Sequence, residues 1–179
     1  VKLRRHPVEP DTDVFAIQTE LSQELAGKIG GFTGTVLAAD KKVALRKRPS
    51  NLTAYDLYLT GIEAKNREDK ASVSEAIKLF RRSIDIDPNF ARAWAMLASA
   101  YAISTHWAED PAEAHRLYEE AASRAVELDP LDAEAHAGLG MALARHSHPE
   151  RAKAEFEEAL RLNPNSADVL TRYSYWAAS

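Results

Sequence analysis

From residue 74 the chain reads "SEAIKLFRRSIDI", which places Ala76, Phe80, Ser83 and Ile84 on one side of a helix. The pattern returns in "ERAKAEFEEALRL", where Ala152, Phe156, Ala159 and Leu160 form the stripe and charged residues take the other faces. Both stretches end in a short phrase, Ile-Asp-Pro and Leu-Asn-Pro, and a Leu-Asp-Pro lies between them. The three prolines, 88, 130 and 164, stand 42 and 34 residues apart. Proline cannot continue a helix and biases the residue before it away from helical geometry, so each one marks a helix end. "FRRSIDIDPNFARAWAMLASAY" from Phe80 and "FEEALRLNPNSADVLTRYSY" from Phe156 are nearly one line written twice, 76 positions apart. The pattern predicts a helix–turn–helix unit copied along most of the chain.

A 34-residue unit of this kind, with small residues, an aromatic and a closing proline, resembles the tetratricopeptide repeat, or TPR. The match is strongest from Ala133 to Pro164, where Leu139, Gly140, Ala152, Phe156, Ala159 and Pro164 occupy family places. His136 stands where the family has Trp, and Leu143 where it has Tyr. The preceding unit supplies those signs with Trp94, Leu97, Ala98 and Tyr101, then Tyr118, Ala122, Ala125 and Pro130. It is eight residues longer, with the excess near "THWAEDP". The earliest unit has Leu57, Gly61, Ala76, Phe80, Ser83 and Pro88, and runs three residues over near "KNREDKA". Small residues at Gly61, Ala98 and Gly140 allow two helices to cross closely. The resemblance implies an all-α, right-handed superhelix of antiparallel helix pairs, an α-solenoid in which stacked copies share one core. Its expected units are 51–88, 89–130, 131–164 and a partial 165–179. The last has Leu170, Tyr173 and Ala177 in family places. It shows Val169, Tyr173 and Trp176 with little charge, so we expect a partner or further chain to cover that end.

The first fifty residues differ. Residues 1–12 read as the end of an upstream domain or a tail, and 13–50 as a helical connector. "DVFAIQTELSQELAGKI" is an amphipathic helix with Asp13 as N-cap and Phe15, Ile17, Leu21, Leu25 and Ile29 apolar. "GGFTG" breaks it, and "TVLAADKKVALRKR" forms a second helix before Pro49. These runs, followed by "RKRPSNLTAYDLYLTGIEA" and repeats, resemble a bacterial multidomain group. In that group a signalling or DNA-binding domain precedes a TolB-like segment and TPRs. The resemblance implies an upstream class III adenylate/guanylate cyclase or winged-helix activator. The opening Val1, in place of Met, reads as part of a longer polypeptide.

Composition narrows the function. The 179 residues are 45% hydrophobic and 28% charged, as expected for a folded chain. A net charge of -4 divides unevenly: residues 1–50 carry nine Lys/Arg against six Asp/Glu, and 51–179 carry fourteen against twenty-one. The resulting -7 of the repeat region disfavours a phosphate backbone as partner. No cysteine is present, which excludes disulfides, thiolate catalysis and Cys-ligated zinc. No apolar run reaches the ~18–20 residues of a bilayer span, so no membrane partner and a cytoplasmic location are expected.

Candidate chemistry dissolves on inspection. The glycines 27, 30, 31 and 34 lack the Gly-Lys-Ser/Thr ending of a phosphate loop and read as a helix break. His146 and His148 have no third ligand at helical spacing and fall in the turn between helices. His136 is expected as a partly buried packing residue. Glu119–Glu120 and Glu157–Glu158 are expected on outward faces. Lys41, Lys42, Arg46, Lys47 and Arg48 form a positive stripe without interleaved aromatics. The reading is a non-enzyme with no cofactor and no metal.

The TPR resemblance implies that extended or helical peptides bind the concave face, at places 2, 5, 9 and 12–13 of each first helix. Carried over, these are Tyr55, Tyr58, Ile62 and Lys65 in the first unit. The second unit gives Arg92, Ala95, Ser99 and Ala102, and the third Glu134, Ala137, Met141 and Arg145. Chaperone-tail binders carry Lys and Asn at places 5 and 9, where this chain has Ala95, Ser99, Ala137 and Met141, so that clamp is missing. A protein-interaction scaffold is therefore expected, regulating an attached signalling domain. A DNA-binding regulator and a structural spacer are the alternatives. The occupant is a protein or peptide partner, the chain's own helix 14–29, or a second copy, including a homodimer through the C-terminal helix.

Overall fold

Asn51 starts the first helix by accepting hydrogen bonds from the Thr53 and Ala54 N–H groups at 2.9 and 3.2 Å, donors the helix itself cannot satisfy. The computed structural model describes residues 51–145 and 148–178. Among these residues lie seven α-helices and no strand. They are α1 Leu52–Lys65, α2 Lys70–Ile86, α3 Ala91–Ser104, α4 Pro111–Leu128, α5 Ala133–Arg145, α6 Pro149–Leu162 and α7 Ala167–Ala177. A single 3-10 turn, Thr105–Trp107, follows α3. The helices pack in sequential pairs, α1 on α2, α3 on α4 and α5 on α6, and each pair packs on the next. First helices also touch across units, α1 on α3, α3 on α5 and α5 on α7, whereas second helices meet less closely. The first helices thus form the tighter, inner layer of the stack. The expected connector helices, glycine cluster and basic stripe of residues 13–50 lie outside the described residues, as does His146.

The repeated proline phrase is a turn. Asp87, Asp129 and Asn163 each close a helix by donating N–H to the carbonyl four residues back, on Ser83, Ala125 and Ala159, at 2.9, 3.0 and 3.0 Å. Their side chains then accept from the N–H two residues on, at Asn89, Leu131 and Asn165, at 3.2, 3.3 and 3.3 Å. Their own carbonyls accept from Phe90, Asp132 and Ser166 at 3.1, 3.1 and 3.3 Å. This is an Asx turn wrapped round a proline that has no N–H to satisfy. Asp and Asn serve equally because both place a side-chain oxygen at the same point. The extra lengths sit where expected. Asn66–Asp69 includes Glu68 at φ 56°, and Asp69 then caps α2 through Ser72 at 2.9 Å. In the second unit the 3-10 turn leads to Asp110, which caps α4 through Ala112 and Glu113 at 3.0 and 3.1 Å.

Where paired helices cross, glycine makes room for a ring. A Cβ built on Gly61 would lie 2.6 Å from the Phe80 ring, and one on Gly140 would lie 3.0 Å from Phe156. Both rings are fully buried. The second unit solves the same crossing differently, with Ala98 at the glycine place and Ala122 at the ring place, both buried in the shared core. Gly61→Ala is therefore expected to destabilise. The up to ~1 kcal/mol gained in helix propensity is outweighed by an overpacking cost of about 1–3 kcal/mol. Adding Phe80→Leu should recover part of this loss. Urea midpoints for the two single variants and the double variant should give a favourable coupling of at least ~0.5 kcal/mol. Strict additivity would refute the close packing.

Candidate peptide-docking face

The first-helix layer opens with two stacked tyrosines. Tyr55 and Tyr58 lie with ring centroids 5.9 Å apart at 18°, and Tyr58 also contacts the Phe80 and Phe90 rings at 6.3 and 5.0 Å. Tyr58 is buried, and burial raises its phenol pKa above 10. The Arg92 guanidinium sits 5.5 Å above its ring, so the ring is roofed from the solvent side. Ala137 is likewise buried. The other ten predicted face residues reach solvent: Tyr55, Ile62, Lys65, Ala95, Ser99, Ala102 and Met141 in part, and Arg92, Glu134 and Arg145 more fully. Among the described residues Lys65, Arg92 and Arg145 have no ion-pair partner, in contrast to the surface arginines of α4 and α6. There Arg116 bridges Glu113 and Glu120 at 2.7 and 3.0 Å, and Arg161 grips Glu158.

The face ends in a cleft of about 410 Å³ lined by Met141, Ala144, Arg145, Pro149, Tyr175 and Trp176. Two of these residues come from α7, which the repeat pattern marks as a bare end. The structure shows that the three apolar residues of its stripe pack inward. Val169 is fully buried, and Tyr173 and Trp176 are half-buried against Phe156, at 5.9 Å edge-on and 5.1 Å stacked. What α7 leaves open is Leu170 and Tyr175, 43% and 64% exposed. The Tyr118 hydroxyl donates to the Gly138 carbonyl at 3.0 Å and ties α4 to α5 beneath this region.

The remaining candidates are structural. His136, the Trp substitute, is buried, with Nδ1 2.6 Å from Glu155 Oε2 and Nε2 3.1 Å from the Pro130 carbonyl. It is more than packing: it joins α5 to α6 and to the preceding turn. Glu119, Glu120, Glu157 and Glu158 all take part in ion pairs with basic residues. Among the described residues no three His, Asp or Glu gather as metal ligands, and no helix is long and apolar enough to cross a membrane.

Known proteins give this geometry its context. Residues 133–166 match the tetratricopeptide repeat family. The transcriptional regulator HilA of Salmonella paratyphi A is 29% identical over 133 residues, 72% of this chain. The chain spans only about a quarter, 24%, of that relative. The fold resembles a thermophilic TPR protein of Thermus thermophilus, with a TM-score of 0.63 at 16% identity, covering 92% of this chain and 82% of that one. The Sgt2 TPR domain of Aspergillus fumigatus gives 0.60 at 22% identity, covering 74% and 81%. The first TPR of Spaghetti (RPAP3), bound to an HSP90 peptide, gives 0.59 at 22%, covering 73% and 94%. These likenesses establish the fold: the described array is an all-α TPR solenoid.

Proposed function

We propose that this chain is a protein-interaction module whose first-helix face receives a peptide segment of a partner. The observation that carries the reading is the composition of that face. Tyr55, Ile62, Ala95, Ala102 and Met141 offer a partly exposed apolar track beside three cations without ion-pair partners. Apolar anchors in a groove provide affinity, and flanking charges set register. A TPR neighbour bound to an HSP90 peptide supports a peptide as the class of ligand. The test is selection of random dodecamer peptides on the immobilised full chain. Enriched peptides should compete with one another and lose binding to the Ala95→Glu/Ala102→Glu variant, with helicity unchanged by circular dichroism. Failure to enrich any peptide, or binding indifferent to those substitutions, would remove the proposal.

A second reading places the module in a DNA-binding transcriptional regulator, and the similarity to HilA favours this attachment over a cyclase. In our reading the module itself does not hold the duplex, because residues 51–179 carry fourteen basic against twenty-one acidic groups. Filter binding of the full chain to duplex DNA across salt concentrations should show weak binding with a shallow salt slope. A slope of several counter-ions would instead assign phosphate contacts to this chain.

A further inference from the structure

We propose that the cleft between α5 and α7 is a specificity pocket for a linear peptide presenting a large apolar side chain beside an acidic one. The inference rests on the peptide-docking reading above and names the chemistry of one site within it. Met141, Ala144, Pro149, Tyr175 and Trp176 supply apolar and aromatic walls, Arg145 adds a polar side, and the ~410 Å³ between them suits one bulky side chain with its flanking backbone. Trp176 is fixed by stacking on the buried Phe156 at 5.1 Å, so this wall is preformed rather than assembled by the ligand.

Charge selects the neighbour of that anchor. Arg145 alone among the lining residues is ionised, and among the described residues no carboxylate lies within ion-pair distance of it. The nearby Arg172 is already committed to Asp168 at 2.7 Å on the same helix. Glu134, the exposed acid of α5, is eleven residues from Arg145, about 16 Å along the helix axis, too far to neutralise it. The rim therefore carries one uncompensated guanidinium, whose planar fork takes a carboxylate through two parallel hydrogen bonds. The matching partner carries Phe, Leu or Met next to Asp or Glu within its chain, and needs no free C-terminus.

The test uses the full chain labelled with nitrogen-15 and a heptapeptide, acetylated and amidated, with Phe flanked by Asp. The three tryptophans give three indole N–H signals. The Trp176 signal and the amides of α5 and α7 should move on titration. Affinity should fall about tenfold when the Asp residues become Lys, and about tenfold for Arg145→Glu, the loss expected of one charge-assisted contact. Met141→Ala keeps the test independent of charge, and should weaken the peptide without altering the Lys/Asp preference. Shifts confined to α1 and α3 would overturn the pocket while leaving the docking face standing. No shift with this peptide, while selected dodecamers bind elsewhere on the face, would do the same. A Trp176 signal that moves with protein concentration alone, or contacts from residues 14–29 to Trp176, would hand the cleft to a second copy or to the chain itself and overturn the proposal.

Discussion

Phe156→Ala is expected to lower the free energy of unfolding by about 3–5 kcal/mol, the range for deleting a fully enclosed ring. The ring has no exposed surface, and its neighbours are poorly able to collapse into the gap. On one side Gly140 offers backbone and no side chain, and on the others Trp176 and Tyr173 are set by contacts with one another at 5.7 Å. The loss should also have a place in the molecule. Val169, Tyr173 and Trp176 all pack on the cluster that contains Phe156, so α7 depends on this ring for its seat. In a stack where each unit leans only on its neighbours, α7 should then detach before the rest. Tryptophan emission should shift to the red at lower urea than the loss of far-ultraviolet helicity. Phe80→Ala, an equal deletion set among Tyr58 and the first two units, should cost a similar amount with the two probes still coincident. A loss below about 1 kcal/mol for Phe156→Ala, with coincident transitions, would contradict the packing described.

That contrast shows how far the amino-acid pattern can be read. Gly61, Gly140 and Ala98 disclose the helix crossings because size at a crossing is a local demand, visible in the residue type alone. The prolines disclose the turns for the same reason. The burial of α7 is also written in the chain, since Val169, Tyr173 and Trp176 follow one another at spacings of four and three on one helical stripe. It is easily overlooked, because low charge on a last helix reads as exposed surface when the neighbouring unit is not considered. The inner face is legible in outline only. Family places put Tyr58 and Ala137 on it, yet Phe80, Phe90 and Arg92 enclose Tyr58, a contact between residues far apart in sequence. The cleft cannot be foreseen from any one repeat, because its walls come from α5, the start of α6 and α7 together.

His136 should make the stability of the array depend on pH. Trp94, at the same place of the preceding unit, donates its indole N–H to the Pro88 carbonyl at 3.0 Å, six residues back. His136 reproduces that bond from Nε2 to Pro130, also six residues back, at 3.1 Å. A carbonyl can only accept, so Nε2 carries a proton. Nδ1 faces the Glu155 carboxylate at 2.6 Å, another acceptor, so the imidazolium, with protons on both nitrogens, is the form that satisfies both partners. The Glu155 bond raises the His136 pKa above 6.5, helped by the Pro130 carbonyl and by Glu158, and outweighs burial, which acts the other way. Because the folded value lies above the unfolded one, the stabilisation is complete below about pH 6.5 and fades as pH rises through the elevated folded value, by at most ~1.4 kcal/mol per unit. His136→Ala should cost about 1–3 kcal/mol on the acid side and progressively less toward alkaline pH. Urea midpoints for both proteins, from about pH 5 to pH 9, isolate this group because the other titrations cancel in the difference. Glu155→Gln should move the fading to lower pH, since the neutral amide removes the main cause of the shift. Parallel pH profiles for the parent and His136→Ala would show that folding leaves the ring's pKa unshifted, and a cost of His136→Ala that grows toward alkaline pH would show a ring held neutral; either outcome would contradict the charged tie between α5 and α6.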